Sequence, residues 1–154
     1  MSSDPRACRR WRDGDDSLAV NPISIRLARL DDAEIIARFN ALLAAETEDT
    51  RLDLPTVQAG VKQLLADPAK GRYLVAEVDG RVIGQLAHTR EWSDWRNGDL
   101  WWIQSVYVEA GYRGAGVFRA LYEHLERLAN DTGDVVGIRL YVEKHNDKAQ
   151  AAFD

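Results

Sequence analysis

The sequence is poor in the residues that build disulfide frameworks and metal centres. Its 154 residues include one cysteine, Cys8, and three histidines, His88, His124 and His145, which lie far apart along the chain. A single cysteine excludes an intramolecular disulfide, and neither the thiol nor the histidines show metal-ligand spacing. We therefore expect a cytoplasmic protein without a structural metal.

Long apolar runs and an excess of basic charge are also missing. No apolar stretch approaches the roughly 20 residues of a membrane-spanning helix, and the N-terminus lacks the apolar segment of a secretory signal. The net charge of -5 at pH 7 argues against a nucleic-acid binder, which usually carries a basic stripe. The same acidic balance suits a cationic ligand, because a negative surface attracts one. We expect neither a membrane nor a nucleic acid as a partner.

The chain does contain enough apolar residues for one folded domain. Hydrophobic residues make up 45% of the sequence, with five Trp, five Tyr and three Phe. A domain of this length buries roughly 68–70% of its unfolded surface, which suffices for a core. Arginines and aspartates balance within residues 1–21, which we predict to form a flexible tail. Residues 22–154 are predicted to form the domain.

Hydrophobic periodicity predicts a mixed α/β fold with the element order β-α-α-β-β-β-α-β-α. The sheet is predicted to be mostly antiparallel, flanked by helices, with one strand–helix–strand crossover. The dipeptide Asp79-Gly80 predicts a tight hairpin turn with two positive φ angles, and residues 91–99 are predicted to form a polar, aromatic loop. The predicted strands cover 23–27, 73–78, 82–89, 100–108 and 135–142, and the helices cover 31–46, 55–67, 117–131 and a last one beginning at Asn146.

The most informative stretch runs from Val106 to Arg119, where a predicted buried strand enters a glycine-rich turn that opens a helix. Unpaired N–H groups and the positive dipole end of a helix attract anions. Gly114 and Gly116 would let the backbone approach a phosphate closely, and Arg113 adds positive charge beside it. This pattern indicates a phosphate or pyrophosphate cradle. The alternative is an ordinary strand-to-helix turn that needs glycine only for its geometry.

The stretch from Trp102 to Leu121 resembles the acetyl-CoA signature of the GNAT superfamily of N-acetyltransferases. That signature reads Q/R-x-x-G-x-G/A between a strand and a helix, and here Arg113 takes its first position and Gly116 its middle one. The later stretch Leu140–Phe153 resembles the strand and Asn-x-x-Ala helix start of the same family. The first predicted strand, the helix pair and the Asp79-Gly80 hairpin also lie in the order that the family shows.

The resemblance covers residues 23–154 and implies direct transfer of acetyl from acetyl-CoA to a primary amine of a small molecule or peptide. It implies that backbone groups of Val106, Tyr107 and Val108 pair with the pantetheine arm and polarise the thioester carbonyl. Asn146 would line the cofactor side of the cleft. The pyrophosphate would contact the amides of Arg113, Gly114, Ala115, Gly116, Val117, Phe118 and Arg119.

Three departures from the family pattern affect these expectations. Phe118 stands where the signature has Gly or Ala, so its ring must point away from the phosphates. Phe153 stands where many members carry the tyrosine that protonates the departing thiolate, and it cannot donate a proton. The chain ends before the family's final strand pair, so we expect a truncated domain whose open strand 135–142 favours a homodimer. A catalytically impaired CoA-binding or interaction module with a GNAT-like fold is the alternative function.

The acceptor side offers several carboxylates. The acidic stretch 46–53 lies between the first two helices, where the family fold places the substrate cleft. Many members carry a glutamate on the strand before the signature; here Gln104 can orient water but cannot accept a proton. Glu46, Glu91 and Asp94 are the candidate bases, since an amine must first lose a proton. The alternative is a set of solvated acidic loops. His88 is interpreted as a hydrogen-bonded strand residue.

Overall fold

The computed structural model describes residues 21–140, which form five strands and three α-helices in the predicted order. The tail prediction for residues 1–20 and the helix predicted to begin at Asn146 lie outside the described residues. The strands are β1 (Ser24–Leu27), β2 (Arg72–Val78), β3 (Arg81–Ser93), β4 (Gly98–Val108) and β5 (Val135–Leu140), and the helices are α1 (Ala33–Glu48), α2 (Leu54–Ala66) and α3 (Val117–Thr132).

The five strands form one mixed sheet in the order β1-β2-β3-β4-β5. Neighbouring strands run antiparallel except β4 and β5, which run parallel because α3 connects them as a crossover. This arrangement confirms the predicted mixed α/β class. No helix within residues 21–140 is both long and apolar enough to span a bilayer.

Helices cover both faces of the sheet, which gives two hydrophobic clusters. On one face, Ile36 of α1 and Val61 of α2 pack against Val75 of β2. On the other face, Leu121 and Leu125 of α3 pack against the sheet. Because Leu74 belongs to the second cluster and Val75 to the first, alternation along β2 supplies both layers.

A partly buried cluster of ion pairs attaches the start of α1 to the sheet. The Arg26 guanidinium of β1 donates to both carboxylate oxygens of Asp32, at 2.8 and 3.0 Å, and to Glu77 of β2 at 2.8 Å. The Asp32 carboxylate also accepts a bond from the Arg29 backbone N–H at 2.6 Å. Hydrogen bonding to Arg26 lowers the pKa of Asp32, so the cluster is charged at neutral pH.

The sequence pattern predicts the first hairpin of the sheet correctly and misses the second. Asp79 and Gly80 have φ angles of 53° and 76°, which confirms the tight first turn. The loop predicted over residues 91–99 is wrong: β3 continues to Ser93 and β4 begins at Gly98, with Ser93 opposite Gly98. The hairpin tip over residues 91–99 is polar because it projects into solvent, where Trp95 is 95% exposed. Backbone pairing suffices to form its strands.

His88 lies in β3 as predicted, but the predicted hydrogen bond of its ring is wrong. Its imidazole is fully buried and stacks on Trp101 with 4.3 Å between ring centroids. Neither ring nitrogen reaches hydrogen-bonding geometry with any residue of the 21–140 range. Burial, assisted by the charges of Arg72 and Arg90, lowers the pKa of His88 to about 4. The imidazole is therefore neutral at pH 7.

A neutral buried His88 makes the folding stability sensitive to acid. The unfolded chain binds a proton near the ordinary histidine value of 6.5, whereas the folded chain resists protonation until about pH 4. Stability is therefore lost as the pH falls through this window, because the unfolded state binds more protons. His88→Phe keeps a ring against Trp101 and removes the titrating group. We expect urea unfolding to show that the variant loses about 1–2 kcal/mol less than the wild type between pH 7 and pH 5. An equal loss in both proteins would contradict this assignment.

Candidate active site

The candidate site lies along the second half of β4. The described pairing of β4 with β5 runs from Asp99 opposite Val135 to Ile103 opposite Leu140, the last described residue. The pairing of β4 with β3 on its other side continues to Val108. Residues 104–108 therefore lead from the sheet to the glycine-rich loop that opens α3.

A β-bulge lies at the start of residues 104–108. The β3–β4 register shifts between Ala87 and His88, which leaves Gln104 as an extra residue on β4. Bulges re-aim the side chains that follow them and often lie beside active sites. Here Tyr107 turns toward α1, where its ring centroid lies 5.0 Å from that of Phe39. Residues 100–108 are apolar at all but two positions, and this pattern does not indicate an inserted residue.

The loop between β4 and α3, residues 109–116, is called the signature loop here. It enters α3 through two glycines with left-handed backbone conformations. The φ angles are 81° at Gly114 and 86° at Gly116, and Gly116 caps the N-terminus of the 16-residue helix. A Cβ atom at either position would meet no atom within 4 Å, so these glycines are needed for conformation beside an open space. That space is a cavity of about 330 Å³ lined by Val108, Tyr112, Arg113, Gly114, Gly116, Val117, Phe118 and Arg119.

Two of the predicted amide donors are engaged inside the loop. The Arg113 N–H donates to the Ala110 carbonyl at 3.3 Å, and the Ala115 N–H donates to the Tyr112 carbonyl at 3.4 Å. Ala115 also does not line the cavity. The first turn of α3 supplies the other donors, because the leading N–H groups of a helix have no intrahelical partner. The geometry fits an anion at the start of α3 better than along the whole loop.

A carboxylate from α1 ties the signature loop to β4. Glu46 accepts a hydrogen bond from the Tyr107 hydroxyl at 2.9 Å and an ion-paired bond from Arg113 at 2.9 Å. The Nε of Arg113 also donates to the Val108 carbonyl at 2.8 Å. The hydrogen bonds from Tyr107 and Arg113 lower the pKa of Glu46, and the bond from Tyr107 contributes most. Because each oxygen has a donor and the pKa is lowered, Glu46 is a weaker proton acceptor than a free glutamate.

A second cavity lies between α1, α2, β2 and β4, beside the bulge. It has a volume of about 450 Å³ and is lined by Asn40, Leu43, Ala44, Glu48, Leu52, Val57, Gly60, Val61, Tyr73, Gln104 and Ser105. We call it the α-side cleft. Its floor is polar: the fully buried Gln85 donates to Asn40 at 2.7 Å, and Asn40 donates to the Tyr73 hydroxyl at 3.3 Å.

The other candidate catalytic residues do not gather around Glu46. Gln104 donates to the Thr89 hydroxyl at 2.7 Å and lines the α-side cleft. Glu91 accepts from the Trp102 indole N–H at 2.6 Å and Asp94 lies in the turn after β3. Asn146 and Phe153 lie outside the described residues.

Glu91 lies far from the signature loop along the strand. Leu100 stands opposite Glu91 in the sheet, and an extended chain covers about 20 Å between Leu100 and Val106. The structure therefore places Glu91 and Asp94 apart from the Glu46 contacts. Among residues 21–140, no group of three or more His, Cys, Asp or Glu side chains could hold a metal ion.

Comparison with known proteins identifies the family. The family model for the acetyltransferase (GNAT) family matches residues 36–154. A solved structure described as a possible acetyltransferase from Clostridium difficile 630 is 48% identical, with a TM-score of 0.80, and the match covers 85% of this chain and 86% of that one. No curated protein matches the chain. The chain belongs to the GNAT acetyltransferase family, whose members generally use acetyl-CoA.

More distant solved structures share the fold. A ribosomal-protein-alanine N-acetyltransferase from Brucella melitensis biovar Abortus 2308 is 21% identical, with a TM-score of 0.69, over 85% of this chain and 87% of that one. An aminoglycoside acetyltransferase from an uncultured soil metagenomic sample, solved with sisomicin, is 16% identical, with a TM-score of 0.69, over 85% and 84%. At these identities the likeness extends to the fold alone.

The cradle can be tested with two variants that differ only in charge. Asn and Asp are the side chains best tolerated at positive φ, so Gly116→Asn and Gly116→Asp should disturb the backbone to a similar extent. The Asp carboxylate adds a negative charge where a pyrophosphate would lie. We expect calorimetry to show at least tenfold weaker acetyl-CoA binding for Gly116→Asp than for Gly116→Asn. Equal affinities for the two variants would place the anion elsewhere.

Proposed function

We propose that this protein is an N-acetyltransferase that moves acetyl from acetyl-CoA directly to a primary amine of a small molecule or peptide. One observation carries the proposal: β4 lines both cavities, with Gln104 and Ser105 at the α-side cleft and Val108 at the cavity before α3. A thioester aligned along β4 would face an amine held in the cleft. The rest of the cofactor would then extend toward the start of α3.

The residues at the end of β4 and in the signature loop fit acetyl-CoA, which would supply an activated acetyl thioester. Backbone groups of Val106 and Val108 would pair with the pantetheine arm, as in a strand addition. Backbone N–H groups of β4 would polarise the carbonyl oxygen, which stabilises the charge that develops there. Amides at the start of α3 and the exposed Arg119 would hold the pyrophosphate.

Proton movement in this reaction would depend on water. The acceptor ammonium would lose a proton to water in the cleft, ordered by the exposed Gln104 side chain. The free nitrogen would then form the new carbon–nitrogen bond as the carbon–sulfur bond breaks. Its second proton would pass to the thiolate sulfur, giving the amide and free CoA thiol. A thiol pKa near 8.5 makes a tolerable leaving group without a dedicated acid.

A CoA-binding module without transfer is the second candidate. The engagement of Glu46 with Tyr107 and Arg113 favours it, because that contact removes the carboxylate nearest the signature loop from proton transfer.

One pair of measurements separates the two candidates. Acetyl-CoA binding is followed by calorimetry, and thiol release is followed with a thiol-reactive dye across a panel of primary amines. Amine-dependent thiol release supports the transferase. Binding without release for any amine supports the module, and absence of binding contradicts both.

The structural role of Glu46 leads to a kinetic prediction. General-base catalysis is typically worth about 10²–10⁴-fold, so loss of a true base would be severe. Glu46→Gln retains a polar side chain that can still bond Tyr107. We expect it to lower kcat/KM less than tenfold and to leave the shape of the pH–rate profile unchanged. A loss of a hundredfold or more, together with a missing acid limb in that profile, would identify Glu46 as the base.

A further inference from the structure

On the basis of the proposed function, we infer that the acceptor is a small, singly charged amine with an apolar body and no acidic group, and that Gly60 sets the size of that body. The inference concerns the α-side cleft, whose charge, walls and floor are all visible within residues 21–140. Each of these features excludes a different class of amine.

The charge of the α-side cleft fits one cation. Among the described residues that line it, Glu48 is the only charged side chain, and none is Lys or Arg. The nearby Glu46 is already paired with Arg113. An acceptor with a carboxylate or phosphate would place that anion near Glu48 without a basic partner. A polyamine would leave its further ammonium groups without carboxylates.

The walls of the cleft are apolar. Leu43 and Ala44 of α1, Leu52 of the connection and Val57 of α2 line them. Such surfaces bind a hydrocarbon or aromatic body, because contact removes apolar area from water. The volume of about 450 Å³ lies in the lower part of the range found for small-molecule sites. The cleft therefore suits a compact body better than an extended peptide.

The floor of the cleft offers neutral hydrogen-bonding groups. Tyr73 is 7% exposed, and its hydroxyl accepts a bond from Asn40, which leaves the hydroxyl proton for an acceptor atom. Burial raises the pKa of Tyr73, so the hydroxyl keeps that proton throughout the physiological range. The fully buried Gln85 fixes Asn40 beneath it. This floor fits one uncharged polar group, such as a hydroxyl, on the body of the amine.

Gly60 leaves the α2 side of the cleft open. It lies inside α2, where glycine is less favourable than alanine, and its backbone does not adopt positive φ. A Cβ atom there would meet no atom within 4 Å. Packing and conformation therefore give no reason for glycine at this position. Because Gly60 lines the cleft, a larger side chain would occupy the volume that the acceptor body needs.

The first test compares four amines with the wild-type full chain. The probes are phenethylamine, phenylalanine as its carboxylated counterpart, spermidine as a polyamine, and the tripeptide Ala-Ala-Ala as a peptide N-terminus. We expect kcat/KM for phenethylamine to exceed each of the others at least tenfold. A preference for any of the other three would overturn the inference while leaving the transferase intact. Acetyl-CoA binding with no acetylation of any amine would overturn the transferase and the inference together.

The second test uses a matched pair at Gly60. Gly60→Ala adds one methyl group and is the small-side-chain comparison, for which we expect a smaller loss of kcat/KM for phenethylamine than for the Trp variant. Gly60→Trp fills the cleft; kcat/KM should fall at least tenfold for phenethylamine but little for ethylamine, and acetyl-CoA affinity should not change. Equal losses for both amines, or no loss for either, would overturn the role of Gly60. Calorimetry with acetyl-CoA and a urea melt verify that each variant is folded.

Glu48 provides an independent check on the charge argument. Glu48→Gln keeps the size and polarity of the side chain and removes its charge. We expect KM for phenethylamine to rise about tenfold with a smaller change in kcat, because the side chain holds the ammonium. An unchanged KM would show that the cation binds elsewhere.

Discussion

The contact of Glu46 with Tyr107 and Arg113 joins the three parts of the molecule that form the site. One carboxylate at the end of α1 reaches a strand residue and a loop residue that are separated from it by 61 and 67 positions in the chain. It therefore ties the end of α1 to β4 and to the signature loop. Ala44 of α1 lines the α-side cleft and Arg113 lines the cavity before α3, so the contact connects the walls of the two cavities.

Much of the fold could be predicted from short-range patterns. The strands β1 and β2, the helices α1 to α3 and the Asp79-Gly80 turn follow from periodicity and turn chemistry, which act within a few residues. The second hairpin was missed because its strands are held by backbone bonds and bear polar residues such as Glu91 and Asp94. A solvent-exposed arm has no apolar alternation to reveal it.

The site was only partly predictable, for the same physical reason. Gly114 and Gly116 act through their own backbone angles, so a local motif is enough to identify them. Glu46 acts through partners far along the chain, and its candidacy as a base could not reveal that both of its oxygens are engaged. Gly60 carries no local signal at all: only its position in the folded cleft distinguishes it from any other helical glycine.

The parallel pairing of β4 with β5 bears on the order in which the molecule assembles. Asp99 and Val135 pair across a connection that contains the signature loop and all of α3, whereas β2, β3 and β4 follow one another through tight turns. Contacts distant in sequence form slowly, because loop closure must precede them. The antiparallel core is thus able to assemble before β5 joins it. The cavity before α3 lies in this connection, so a ligand that binds there only in the folded state adds to the stability of the assembled sheet.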